Sequence, residues 1–208
     1  MVIKKSKKLA NKIFKQQTLT FLILGLDNSG KTTLLFKQKF GQVQDIPITE
    51  TVGFNVESVH ISGTNIEIFE VGGSSNIRKI WPMHYSNINA LFWLIDCSDK
   101  SRFEESRLEL GNILQDSCFS SETPVFILAN KMDKPTAISV KSISDELRVE
   151  EIKLLHKGPV FAYPVIGKSG QGVLQAFQGA IDVVLNNSGG SGFVENEKVI
   201  SRGVSVSD

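Results

Sequence analysis

Nine residues near the start of the chain, "GLDNSGKTT" from Gly25 to Thr33, constrain the fold more than any other stretch. They follow the apolar run Leu19–Leu24 and lead into Leu34-Leu35-Phe36, so the segment sits between a strand and a helix. The spacing Gly25-x-x-x-x-Gly30-Lys31-Thr32 is that of a phosphate-binding loop. Its glycines let backbone N–H groups curl around phosphate oxygens. Lys31 reaches the β and γ oxygens as a point charge, and the Thr32 hydroxyl can bind Mg²⁺. The helix that opens after Gly30 adds the positive end of its dipole. Asp27, Asn28, Ser29, Gly30 and Thr33 complete the expected nucleotide-facing set. The loop implies a nucleoside triphosphate without choosing the base.

Size and charge narrow the frame around that loop. The chain has 208 residues, 41% of them hydrophobic and 22% charged, which suits one globular α/β domain. No apolar run approaches the ~18 residues of a membrane span. Two cysteines, Cys97 and Cys118, make no disulfide framework, and the first residues lack the apolar core of a secretion signal. A cytoplasmic address is expected. The net charge of +1 hides an asymmetry, because residues 1–17 carry six lysines and no acid. The remainder is therefore net acidic. The expected organisation is a basic arm over 1–17, a nucleotide-binding domain over 18–187, and a flexible Gly/Ser-containing tail over 188–208.

Apolar runs alternate with helical patterns along the domain, the arrangement of βα units around a mostly parallel sheet. Six strands are predicted, at 19–24, 54–61, 66–71, 90–95, 124–129 and 160–166. Ser62-Gly63-Thr64-Asn65 turns the second back into the third, so one edge strand should run antiparallel. Helices are expected at 31–39, 101–117, 139–149 and 171–186. No internal repeat is visible.

"ANKMD", Ala129 to Asp133, lies at the end of a predicted strand and names the base. Asp133 can accept two hydrogen bonds, from guanine N1–H and from its exocyclic amine. Asn130 would address the other edge, and the Lys131 stem would pack across the ring. Adenine would set a ring lone pair against the carboxylate, and a bidentate base contact discriminates by roughly 1–3 kcal/mol. The alternative reading of Asn-Lys-x-Asp as a helix cap or turn loses weight downstream of a phosphate loop.

With these motifs assembled, the chain resembles the Arf and Arf-like GTPases of the Ras superfamily. The resemblance rests on "GLDNSGKTT", "TVGFNVESV", "VGG", "IRKIWPMHY", "LIDCSD", "ANKMD" and "GKSGQG", in that order over residues 17–186. It implies a small G domain with a six-stranded, mostly parallel sheet, one antiparallel edge strand and helices on both faces. It also implies GTP and GDP as ligands with Mg²⁺ held by Thr32 and Thr51. Thr51 stands where the first switch segment places its threonine, with Thr49 as the competitor because "IPITETVGF" holds extra residues. Gly73 matches the glycine whose N–H meets the γ-phosphate. Gly167 and Lys168 occupy the third base-contacting loop. Asp96, ending "LFWLID", has the look of a metal ligand but is expected to tie strand to loop.

Two residues depart from the family pattern Asp-x-Gly-Gly-Gln. The chain reads Glu70-Val71-Gly72-Gly73-Ser74. Glu70 keeps the charge but adds a methylene, which could displace a water beside Mg²⁺. Ser74 stands where a glutamine would orient the attacking water, and its hydroxyl is too short to reach the same place. Slow or partner-dependent hydrolysis is expected, since phosphoryl transfer depends on positioning. The sequence alternative is a GTP-binding scaffold that neither cycles nor hydrolyses.

The resemblance further implies effector proteins docking on Phe54, Phe69, Trp81 and Tyr85, with an exchange factor and a GTPase-activating protein acting on a monomer. Core packing is the competing reading for each aromatic. Pro82 should limit helix formation after Trp81. His60, His84 and His156 show no metal-ligand spacing. Residues 2–15 place apolar side chains at helical steps beside lysines, which suits reversible contact with an internal membrane. Val2 is not an acceptor for myristate, and Val206-Ser207-Asp208 offers no prenylation site. A small phosphotransferase is disfavoured by "ANKMD", and the acidic remainder of the chain argues against nucleic-acid binding.

Overall fold

The computed structural model describes residues 18–41 and 49–187. The basic arm and the tail predicted at the two ends fall outside them. Six strands form one sheet in the order β2-β3-β1-β4-β5-β6: β1 Leu19–Leu24, β2 Phe54–Ile61, β3 Thr64–Val71, β4 Ala90–Asp96, β5 Val125–Asn130 and β6 Val160–Pro164. Every pairing is parallel except β2 with β3. The expected antiparallel edge strand is therefore β2. Its turn is tighter than the predicted four residues. Ile61 pairs with Thr64, leaving Ser62 and Gly63 at φ values of 50° and 80°. Two consecutive left-handed residues match the right-handed twist of the flanking strands.

Helices cover both faces because the buried strands are apolar on both. On one face, α1 (Lys31–Phe40) and α5 (Val173–Asn187) pack on β1, β4 and β5, with Phe92 stacked between Phe126 and Phe177 at centroid distances of 5.3 and 4.7 Å. On the other, α2 (Phe103–Gln115) and α3 (Val140–Glu146) cover Leu22, Leu91, Trp93 and Ile127. The helix predicted over 139–149 divides into α3 and α4 (Val149–Leu155). Arg148 between them adopts φ 51°, which a continuous right-handed helix does not permit. Pro82 has the expected effect, since Arg78–His84 forms a 3₁₀-helix.

The motif loops after β1, β3, β4, β5 and β6 emerge from the C-terminal ends of the parallel strands, where open α/β sheets build their ligand sites, and the Thr51 segment joins them by leading into antiparallel β2. Cys97 lies just beyond β4 and is fully buried, whereas Cys118 is exposed. Burial pushes the Cys97 thiol up to about 12, so its reactive thiolate is absent near neutrality. A disulfide-exchange reagent at about pH 8 should therefore label one thiol per native chain, and Cys118→Ser should abolish that labelling. Denaturation should expose both thiols.

Candidate nucleotide-binding site

Beyond β1 the chain wraps into the predicted phosphate loop, with Asn28 and Gly30 both at positive φ. Lys31 begins α1 and is almost wholly buried, donating from Nζ to the carbonyls of Gly25 and Leu26 at 2.9 Å each. Its ammonium thus lies folded across the loop, where phosphate oxygens would compete for it. Burial lowers the Lys31 pKa to about 8, partly offset by the carboxylates of Glu70 and Asp27. The lysine remains largely charged at neutral pH and gains a stronger counterion from a phosphate.

A cavity of about 290 Å³ opens over this loop. Its walls come from the phosphate loop, from Thr49 and Thr51, from Glu70 and Gly73, and from Lys131. Both threonines reach the cavity, but Thr51 meets Thr32, their Oγ1 atoms 2.9 Å apart. Thr32 Oγ1 also donates to Glu70 at 3.2 Å. Three oxygens from α1, the segment before β2, and β3 thereby converge on one corner of the cavity. Hydroxyl and carboxylate oxygens suit a hard divalent cation such as Mg²⁺. Among the described residues no group of three or more His, Cys, Asp or Glu side chains is placed to hold a metal. A cation here would depend on these oxygens together with phosphate.

Gly73 packs directly on the phosphate loop. A Cβ there would collide with the backbone of Gly25, Leu26 and Asp27, so only glycine permits this approach. Arg78, which the sequence reading missed, holds the approach in place. Its Nε donates to the Gly73 carbonyl at 2.7 Å, and its guanidinium pairs with Glu105 and Glu109 on α2 and lies 3.6 Å from Asp27. Arg102, also missed, donates to both the carbonyl and the carboxylate of Asp27. The Arg102 hydrogen bond is the main reason the Asp27 carboxyl titrates below its usual range. Arg78 was quoted within "IRKIWPMHY", but nothing in that string reveals acids arriving from a distant helix.

At the expected base-binding end Asn130 has a structural task that its motif does not reveal. Asn130 is buried, donates from Nδ2 to the Ser29 carbonyl at 2.7 Å, and accepts from the Gly167 N–H at 2.8 Å. It fastens the phosphate loop to the loop after β6, and these contacts use only one of its two Nδ2 hydrogens. Lys131 spans the same gap, donating to the Asn28 carbonyl and pairing with Asp96, each at 2.7 Å. Asp96 also accepts from the Ser98 N–H and hydroxyl, the tie between strand and loop expected of it. Asp133 and Lys168 are exposed. Among the described residues the Asp133 carboxylate has no hydrogen-bond or ion-pair partner.

Four aromatics were expected to form one docking surface, and the structure separates them. Trp81 is buried, donates its indole N–H to the Gly72 carbonyl at 2.9 Å, and packs edge-on against Trp93. Tyr85 is buried against Phe119, and that burial pushes its phenol pKa up. Both are core residues. Phe54 is 53% exposed and Phe69 partly buried, with His84 between them at 5.2 and 6.3 Å. Val52 and Met83, at 88% and 76% exposure, extend that apolar surface.

Comparison with known proteins converges on this arrangement. The model of the ADP-ribosylation factor family matches residues 6–184. Among solved structures, the fold is similar to the Arl6 BBS3 small GTPase of Trypanosoma brucei, determined with the bound nucleotide analogue GppNp. That match has a TM-score of 0.73 and 28% identity, and covers 82% of this chain and 99% of the other.

Because Asn130 satisfies a carbonyl and an N–H on two separate loops, Asn130→Ala orphans both. Guanine-nucleotide affinity should fall roughly thirtyfold, about 2 kcal/mol, for GDP and GTP analogues alike. Equilibrium titration with a fluorescent GDP checks this.

Proposed function

Since this chain belongs to the ADP-ribosylation factor family of small GTPases, we propose that it is a Mg²⁺-dependent switch that binds GTP, recruits effector proteins and hydrolyses GTP slowly. The observation that carries the reading is the docking of two separate segments on the phosphate loop. Thr51 bonds to Thr32, and Gly73 packs on Gly25–Asp27. A γ-phosphate between them would be touched by both, and its loss would release both. This is how a terminal phosphate becomes a conformational signal.

Each residue then has a part in binding. Lys31 and the N–H groups of Asp27 to Thr33 hold the phosphates, and Asp133 accepts from guanine. Lys168 and Gly167 border the base, while Thr32 and Thr51 hold Mg²⁺, whose charge would offset that developing on the phosphates. The switch element covers residues 41–85. Its output surface is Val52, Phe54, Phe69 and Met83, an apolar group beside the segments that the γ-phosphate would order. The similar Trypanosoma brucei structure, solved with the nucleotide analogue GppNp, supports the nucleotide assignment.

Hydrolysis is where this chain departs. Ser74 is partly buried at the start of the turn into the 3₁₀-helix, its carbonyl accepting from the Ile77 and Arg78 N–H groups. A serine hydroxyl can donate and accept, but it does so from one atom on a side chain too short to reach where a glutamine amide would orient water. Turnover would rely on a GTPase-activating protein, and reloading on an exchange factor. We place the protein in the cytoplasm as a monomer serving membrane or vesicle traffic, with residues 2–15 making reversible contact with an internal membrane.

Competition and turnover together test the reading. GTP should displace fluorescent GDP at concentrations where ATP does not, and equal potency would overturn the guanine assignment. Ser74→Gln should raise single-turnover phosphate release on the order of tenfold. A wild type as fast as the variant would refute the slow-switch reading. No release from wild type, with or without cell extract, would favour the non-cycling scaffold.

A further inference from the structure

Glu70 is the only carboxylate in the described residues that is wholly sealed from solvent, at 0% exposure. It sits on β3 between β1 and β2, opposite Ile23 on one side and Asn55 on the other. Hydrogen-bonded ladders on both flanks fix its Cα, so the length of its side chain decides where its charge lies. Oε2 accepts from Asn55 Nδ2 at 2.7 Å. Oε1 faces the cavity and takes only the 3.2 Å contact from Thr32, long for a hydroxyl donor. No lysine or arginine among the described residues forms an ion pair with it, and the Lys31 ammonium is turned toward Gly25 and Leu26. With two hydrogen bonds and no direct ion pair, this buried carboxylate has room at Oε1 for a cation.

Resting on the nucleotide-switch reading above, we propose that Glu70 Oε1 binds the divalent cation directly, as a third protein ligand beside Thr32 and Thr51. Six oxygens at 2.0–2.1 Å around Mg²⁺ put neighbouring ligands about 2.9 Å apart. Thr32 and Thr51 are separated by 2.9 Å, and Thr32 and Glu70 by 3.2 Å. Thr32 is thus spaced from each of the other two as neighbouring corners of one octahedron are. Asn55 leaves a single carboxylate oxygen free, which makes the contact monodentate and aims it. An aspartate on the same Cα would fall short by about one C–C bond, roughly 1.5 Å. A water would bridge that gap. The added methylene therefore exchanges a neutral ligand for an anionic one, and Asn55 acts as the positioning residue for it.

Counting metal-bound water decides the matter. With a non-hydrolysable GTP analogue, Thr32, Thr51 and one oxygen each from the β- and γ-phosphates fill four of six positions. Direct binding by Glu70 leaves one water, and indirect binding leaves two. Mn²⁺ substituted into the wild-type complex in ¹⁷O-enriched water reports that number by electron paramagnetic resonance. One water is the expected result, and two would overturn the proposal without any variant having to fold. Glu70→Asp should restore the second water, and Glu70→Gln should weaken Mn²⁺ binding by at least tenfold while GDP is still bound. If guanine nucleotides fail to bind wild type, the switch reading falls and this inference with it. If they bind with two waters on the metal, only the inference falls.

Discussion

One side chain holds the nucleotide pocket together. Asn130, at the end of β5, spends both ends of its amide on main chain, gripping Ser29 in the loop after β1 and Gly167 in the loop after β6. Three loops that are far apart in sequence are thereby fixed against one another before any ligand arrives. The grip is strong because it is buried: an amide that lost either partner there would leave a polar group unpaired away from water. Lys131 reinforces it from the rim through Asn28 and Asp96. With the loops set, Lys31 can be stored against two carbonyls instead of an acid, and it stays available to phosphate.

The opposite wall of the pocket is organised by charge. Arg78 and Arg102 gather Asp27, Glu105 and Glu109 into a network that joins the phosphate loop, the segment after β3, and α2. Isolated surface pairs contribute little, but the Arg78 side chain is only 10% exposed and shared among several acids, so its position is well determined. Through the Gly73 carbonyl, that position governs how closely residues 72–74 approach the loop. The two departures in this segment thus sit on a firmly held backbone. Glu70 lines the cavity, and Ser74 follows directly on the Gly73 that does.

The same backbone explains how the aromatics are divided. Phe54 and Val56 lie on the edge strand β2, which has one paired neighbour and an open face, and Val52 and Met83 flank them in the connecting segments. Trp81 lies in the 3₁₀-turn and Tyr85 just after it, and their rings join the core on the β4 side of the sheet. The exposed apolar group and the core are therefore adjacent layers of one structure.

What the sequence alone determined was whatever depends on local spacing. Strand and helix periodicity gave the α/β sheet with its antiparallel edge. The Gly25–Thr32 pattern marked the loop after β1, and "ANKMD" and "EVGGSS" marked the segments that end β5 and β3. The Ser62-Gly63 turn and the break at Arg148 were less legible, since both depend on one or two backbone angles rather than on a pattern. Tertiary structure decided everything that depends on which distant residues meet. It chose Thr51 over Thr49 beside Thr32, put Arg78 on Gly73 and Arg102 on Asp27, turned Asn130 into a fastening between loops, and buried Trp81 and Tyr85. It also set Glu70 between Asn55 and Thr32. The physical reason is the same in each case: a side chain's donors, charge and reach are written in its residue type, but the partner that satisfies them is selected by packing.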